Sequence, residues 1–179
     1  MTNAEFQTAF DRHKDAVYRF AWRMSSSPSA AEDITQDVFL ALLHQPERFD
    51  PARGSLRPYL LGIARNLALK RWRTEHRLDP LDEDVFVAPP IDLDRGEVGE
   101  RVGRAVGALP PLQREVIILA EYEDMTLQEI ARAVDAEVGT VKSRLHRARE
   151  NLRKILAPLS PARQVSCGPM CEEFRDGRS

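Results

Sequence analysis

The sequence predicts an all-α protein of two small helical domains, and three observations carry that reading. Apolar residues recur at spacings of three, four and seven, no segment alternates like a half-buried strand between hairpin signals, and one acidic, proline-bearing stretch interrupts the helical pattern. With 179 residues and 42% hydrophobic content the chain suits one ordinary domain or two small ones, and disorder of the whole is excluded. It contains no run of about eighteen apolar residues, and its opening MTNAEFQTAFDRHK lacks the basic-then-apolar order of a secretion signal. No membrane insertion and a cytoplasmic location are therefore expected.

Phe6, Phe10, Val17, Phe20 and Met24 share one helical face and predict the first helix. SSSPSAAE then breaks and restarts the chain. Ser29 and Glu32 have capping-box spacing, and Ile34, Val38, Ala41 and Leu42 supply the apolar stripe of a second helix. FDPARGS, residues 49–55, reads as a loop, after which Leu56, Leu60, Ile63 and Leu67 line a third helix running towards Arg73. From Asp79 to Glu100 the chain brings in eight acids and the pair Pro89 and Pro90, the signature of a linker. The expected division is a domain over 1–77, an acidic linker over 78–107, a second domain over 108–158 and a flexible tail over 159–179.

Leu112, Val116, Leu119 and Ala120 predict a helix entered through Pro110 and Pro111, since proline is tolerated in a first helical turn. Thr126 and Glu129 repeat the capping-box spacing ahead of Ile130, Ala131 and Val134. The sequence TLQEIARAV, the turn DAEVG and then TVKSRLHRARENLRK together outline a helix-turn-helix. Residues 138–154 hold seven basic or potentially basic side chains against one acid, in a chain of formal net charge −2. Val141, Leu145, Ala148 and Leu152 anchor one face of the second helix, which leaves Lys142, Arg144, His146, Arg147 and Arg149 to point outward. Such a face fits a major groove, where Arg and Lys pair with guanine edges and neutralise phosphates. The turn carries Asp135 where a glycine is usual; Asp enters the left-handed region more readily than most residues.

In the first domain Asn66, Lys70 and Arg73 fall on the helical face of Tyr59 and Gly62, flanked by Arg65 and Arg71. An aromatic beside amide and cationic groups can stack a base and hold a single strand, although Tyr59 can equally be a core residue. The second helix differs in kind. Asp33, Gln36, Asp37 and Leu40 form an acidic face that repels DNA and suits a basic protein partner.

Taken together these segments resemble the extracytoplasmic-function (group 4) sigma factors of bacterial RNA polymerase. AEDITQDVFLALL is similar to the polymerase-docking helix of that family, FDPARGSLRPYLLGIARNLALKRWR to its promoter-melting segment, and LPPLQREVIILAEYEDMTLQEIA with VGTVKSRLHRARENLRK to its C-terminal promoter-binding domain. The resemblance implies that Asp33, Gln36, Asp37 and Leu40 dock on the clamp helices of the largest polymerase subunit, with another subunit contacting the C-terminal domain. It implies that Asp50, Pro51, Ala52, Arg53, Gly54 and Ser55 capture a flipped base of the −10 element, with Tyr59, Arg65, Asn66, Lys70 and Arg73 beside them. Thr140, Lys142, Ser143, Arg144, His146 and Arg147 are then the readers of the −35 element. It further implies core RNA polymerase, promoter DNA and an anti-sigma factor as partners, with no cofactor, no metal and no catalysis by the chain itself. The acidic linker is either a nucleic-acid mimic threading the polymerase channels or a solubilising tether.

Two other classes compete. A dimeric helix-turn-helix regulator with an N-terminal sensing or dimerisation domain would bind a palindrome. A helical metal hydrolase would use Glu32, Asp33, Asp37 and His44, but lacks the histidine-rich surroundings such sites use. His13 is expected at a core boundary, and Trp72 at an interface or in the core. Cys167 and Cys171 in CGPMC are read as part of an inert tail, with a thiol switch or half of a metal site as the alternatives.

Overall fold

The computed structural model describes residues 2–75 and 97–157, and every regular element among them is helical. The first helix, α1 (Asn3–Ser25), begins with a capping box in which the Thr2 hydroxyl accepts from the Glu5 amide and the Glu5 carboxylate accepts from the Thr2 amide. It ends at Ser26 in the left-handed region. A hairpin turn leads into α2 (Pro28–His44), and short 3-10 turns at Pro46–Arg48 and Pro51–Arg53 lead into α3 (Leu56–Glu75). After the undescribed segment come α4 (Val98–Gly107), α5 (Pro111–Ile117), α6 (Leu127–Val134) and α7 (Val138–Leu156). A π-helical segment, Ile118–Tyr122, extends α5, with the Glu123 amide donating to the Ile118 carbonyl at 3.2 Å.

Phe20, Val38, Leu42, Leu60, Leu61 and Leu69 are buried where α1, α2 and α3 meet. Burying each such side chain contributes about 1.5–3 kcal/mol relative to leaving it in water. Phe6, Phe10 and Phe39 close one end, with Phe10 and Phe39 edge to face at 4.8 Å. Val116, Ile117, Ile118, Leu119, Ile130, Val134, Val141, Leu145 and Ala148 fill the C-terminal half. The two halves share one continuous apolar cluster, because α6 packs on α3 and α1 reaches α4 and α5. At the α3–α6 crossing, Gly62 lies so close that a Cβ there would stand 3.1 Å from the Ala133 carbonyl.

Several expectations move. The cap of α2 is Ser27, accepting from the Ala30 amide ahead of Pro28, two residues before the expected Ser29. The buried stripe of α3 is Leu60, Leu61, Ala64, Ala68 and Leu69, with Leu56, Ile63 and Leu67 only half-buried at the margin of the apolar cluster. The expected linker over 78–107 runs too far: residues 98–107 form α4, whose Ala105 and Val106 are buried in the C-terminal half. On α7 the buried positions include Asn151 and Ile155, and Leu152 is half-buried. The rest of the linker and the tail with Cys167 and Cys171 lie outside the described residues.

Candidate polymerase and nucleic-acid interfaces

The face of α2 expected to dock stands in solvent. Asp33, Gln36, Asp37 and Leu40 are all exposed, because Ile34, Val38 and Leu42 turn the opposite side into the core. Leu43, 49% exposed, extends that face by one turn beyond Leu40, itself 41% exposed. Two exposed leucines beside two acids make a surface for a basic and partly apolar partner. Sequence reasoning missed Leu43; its position three residues after Leu40, off the buried stripe, was the available signal. The Asp33 carboxylate also accepts from Arg71 at 3.2 Å, which ties α2 to the far end of α3.

The loop over 50–55 is built by its own chemistry. The Asp50 carboxylate accepts from the Ala52 amide at 2.9 Å, and Gly54 has φ +148°, a conformation that side chains rarely adopt. Asp50, Pro51, Ala52, Arg53 and Ser55 are exposed. Tyr59 is half-buried, with its ring 5.4 Å from that of Phe49, so one side is packed while the residue keeps an open edge. Burial pushes its hydroxyl pKa up, and it stays neutral at pH 7. Asn66, Lys70 and Arg73 are exposed along one face of α3, whereas Gly62 on that face is covered by α6. Trp72 is half-buried, and so is His13 on α1, whose burial, with Arg12 and Arg57 nearby, lowers its pKa.

The helix-turn-helix forms as the sequence implies. Thr126 and Glu129 make the full capping box, and the bond from the Thr126 amide holds the Glu129 carboxyl below its ordinary range. Asp135 takes the left-handed position, φ 50° and ψ 55°, and α7 starts at Val138, two residues before the expected Thr140. Lys142, Ser143, His146, Arg147 and Arg149 are exposed, and Thr140 is half-buried. Arg149 reaches back to Glu121 at 2.7 Å. Arg144 departs from expectation. Its side chain is only 13% exposed and turns inward to Glu115, 3.6 Å away.

Glu115 belongs to a set of buried polar groups that sequence reasoning passed over. Gln113, Glu115 and Glu123 are fully buried, and Asn151 nearly so. The Asn151 amide donates to Gln113 at 2.8 Å. Glu115 accepts from Arg65 Nε at 2.7 Å and from Arg65 Nη2 at 3.2 Å, a bidentate pair between α5 and α3. Glu123 accepts from Arg57 at 2.5 Å, Arg114 donates to the carbonyls of Met24, Gly107 and Leu109, and Arg132 donates to the carbonyl of Arg53. The Arg23 guanidinium lies 4.2 Å from the Tyr122 ring centre. The signal was the apolar run over 116–120, since a helix apolar all round is buried and its polar neighbours go inside with it.

Among the described residues no group of three or more His, Cys, Asp and Glu is gathered as for a metal ion, and no helix is long and apolar enough to cross a membrane.

The chain matches the family Sigma-70 region 2 over residues 9–78 and the family Sigma-70, region 4 over residues 99–152. It is similar to the ECF RNA polymerase sigma factor RpoE of Cereibacter sphaeroides, with 33% identity over 84% of this chain and 86% of that protein. It is 31% identical to the ECF RNA polymerase sigma factor SigW of Bacillus subtilis, over 86% of this chain and 90% of that one. With the ECF RNA polymerase sigma factor SigE of Mycolicibacterium smegmatis the identity is 33% over 82% of this chain, which spans only 59% of that longer protein. Among solved structures, the sigma factor RpoE in complex with the anti-sigma factor NepR from Bartonella quintana superposes with a TM-score of 0.68 at 26% identity, over 86% of this chain and 97% of that one. CnrH in complex with the cytosolic domain of CnrY gives 0.67 at 27% identity, over 89% and 92%.

Proposed function

The chain belongs to the extracytoplasmic-function sigma factors of bacterial RNA polymerase, and from that premise we propose how its surfaces divide the work of promoter-specific initiation. The face of α2 formed by Asp33, Gln36, Asp37, Leu40 and Leu43 docks on core polymerase, its acids steering the encounter with a basic clamp surface and its leucines covering apolar area. Lys142, His146 and Arg147 of α7 read the −35 duplex from the major groove, with Ser143 and Thr140 at its edge. The loop over 50–55 receives a base extruded from the −10 element, and Tyr59, Asn66, Lys70 and Arg73 hold the adjoining strand by stacking and by phosphate contact. Strand opening is driven by binding the single strand more tightly than the duplex. The chain supplies no catalytic group, and the polymerase makes the RNA.

The described residues divide into a helical half on residues 2–75 and another on residues 97–157, joined by the acidic segment between. We assign the first half to docking and melting and the second to −35 recognition. Two superposed relatives are held in complexes, one of them with an anti-sigma factor, which supports a protein inhibitor as a further partner. The whole chain acts within the cytoplasm.

The observation that carries this reading is the opposition of charge between two exposed helical faces, acidic on α2 and basic on α7. A protein that only binds DNA has no use for the first, because carboxylates near phosphates are repelled. Asp37→Arg in the full chain therefore abolishes capture by core polymerase and run-off transcription while leaving binding to duplex DNA and its salt dependence unchanged. Normal transcription by that variant, or a wild type that ignores core polymerase and binds a palindrome as a dimer, overturns the proposal.

A further inference from the structure

Two exposed acids share the docking face of α2, and the fold treats them differently. Asp37 makes no hydrogen bond or ion pair among the described residues, whereas Asp33, one turn earlier, is held from another helix. Its Oδ2 accepts from Arg71 Nη1 at 3.2 Å, across 38 positions of sequence. Arg71 in turn donates from Nε to Glu75 Oε1 at 3.1 Å, one turn farther along α3. The guanidinium is therefore gripped at two of its nitrogens, and Glu75, Arg71 and Asp33 form a chain from the last turn of α3 to the second turn of α2.

Such a chain does little for stability. Both of its ion pairs are solvated, with 41% of the Arg71 side chain and 61% of that of Asp33 exposed, and pairs of this kind contribute little to folding. Its effect is on direction. An unpaired aspartate on a helix surface samples several staggered rotamers, and a partner that needs one of them has to order it on binding. Arg71 has already selected one. The planar guanidinium fork fixes angle as well as distance, and it engages a single oxygen of the carboxylate. Asp33 Oδ1 accepts no hydrogen bond among the described residues, so it is left to an incoming cation.

We propose that Arg71 is a positioning residue of the docking face: steadied by Glu75, it holds the Asp33 carboxylate in the rotamer that receives a basic side chain of core polymerase. The inference rests on the initiation reading above and adds a second helix to a surface drawn there on α2 alone. Asp33 sets register, and the unbraced Asp37 supplies steering. Charge counting predicts the reverse sign. A guanidinium beside an acidic face weakens the field that draws a basic partner, so by charge alone its removal tightens binding. By positioning, its removal loosens binding.

Capture of core polymerase by the full chain, measured by competition at physiological salt, reads that sign. Arg71→Met should weaken capture about threefold, the scale of one side chain that must now be ordered on binding. Arg71→Lys keeps the charge without the fork and should fall between Arg71→Met and wild type. Helical content and the denaturant midpoint should stay at wild-type values in both. Asp33→Ala should weaken capture about tenfold; in that background Arg71→Met should add nothing, whereas on Asp37→Ala it should add its full threefold. Tighter or unchanged capture by Arg71→Met, or a loss that persists without Asp33, overturns the positioning role. Wild-type capture by Asp33→Ala refutes the docking reading itself, whatever Arg71 does.

Discussion

The charges of α2 and α7 and the charges of α5 obey different rules. On α2, and on α7 apart from Arg144, they sit opposite an apolar stripe, reach solvent and leave the fold indifferent to their sign. On α5 Glu115 is buried between the two halves, and beside it Gln113 is fully buried and Arg114 half-buried, so the fold depends on each finding its partner. The contrast separates two uses of polarity in one chain, a set of faces turned to partners and a seam whose polar groups pair across helices, with only Arg114 Nε and one Glu123 oxygen of that seam left without a hydrogen bond among the described residues. It also predicts opposite mutational profiles: seam changes should act on stability first, and face changes on binding alone.

The largest effect on stability belongs to Arg114. Burial pushes its pKa down to about 10, still far above neutral, so a charged guanidinium serves the carbonyls of Met24, Gly107 and Leu109. Arg114→Leu strands those carbonyls and should cost about 3 kcal/mol, read as a fall in the denaturant midpoint at unchanged slope. A loss under about 1 kcal/mol would erase the distinction between seam and face.

The pair Gln113 and Asn151 sharpens the same point without net charge. Gln113→Leu leaves the Asn151 amide buried and without its 2.8 Å acceptor, at a cost of about 2 kcal/mol. Adding Asn151→Leu should recover most of that loss, because removing both partners is far cheaper than stranding one. Additive losses in the double variant would mean that the pair is not the unit.

On the exposed side, Arg147→Ala should leave stability within about 0.5 kcal/mol and remove about 1.5 kcal/mol of discrimination among −35 variants. Arg153→Ala, farther along α7 and paired with Glu150, should weaken binding to all sequences alike. Competition binding against single-base variants distinguishes the two, and equal sequence-blind losses would take base reading away from Arg147.

What the sequence disclosed follows from the same division. The faces were legible because amphipathic spacing declares them: Asp33, Gln36, Asp37 and Leu40 are exposed as the stripe of Ile34, Val38 and Leu42 requires, and Thr126 with Glu129 caps α6 as their spacing implies. The seam was not. Glu115 and Arg65 are fifty positions apart, and nothing in either local pattern says that they meet. For that reason Arg144, assigned outward from its place on α7, turned out to face inward to a carboxylate supplied from another helix. The helix over 98–107 was absorbed into the linker because its three glycines and the acid Glu100 mask a short apolar stripe, Val102, Ala105 and Val106, that only packing reveals.

The smallest predicted effect lies at an exposed acid whose importance is in its backbone. Asp135 is exposed, yet φ 50° and ψ 55° place it in the left-handed region that ends α6, and its amide donates to the Ala131 carbonyl there. For a residue with a Cβ that conformation costs about 1–2 kcal/mol, less for Asp than for most, and glycine avoids the steric part of it. Glycine also gains freedom in the unfolded chain, which takes back some of the benefit. Asp135→Gly should therefore stabilise the fold by about 0.5 kcal/mol, and Asp135→Val should destabilise it by about 1 kcal/mol or more, with duplex binding unchanged in the first case. If Asp135→Gly instead weakens DNA binding at constant stability, the carboxylate itself takes part in the interface, and the line drawn between seam and face has to include the turn.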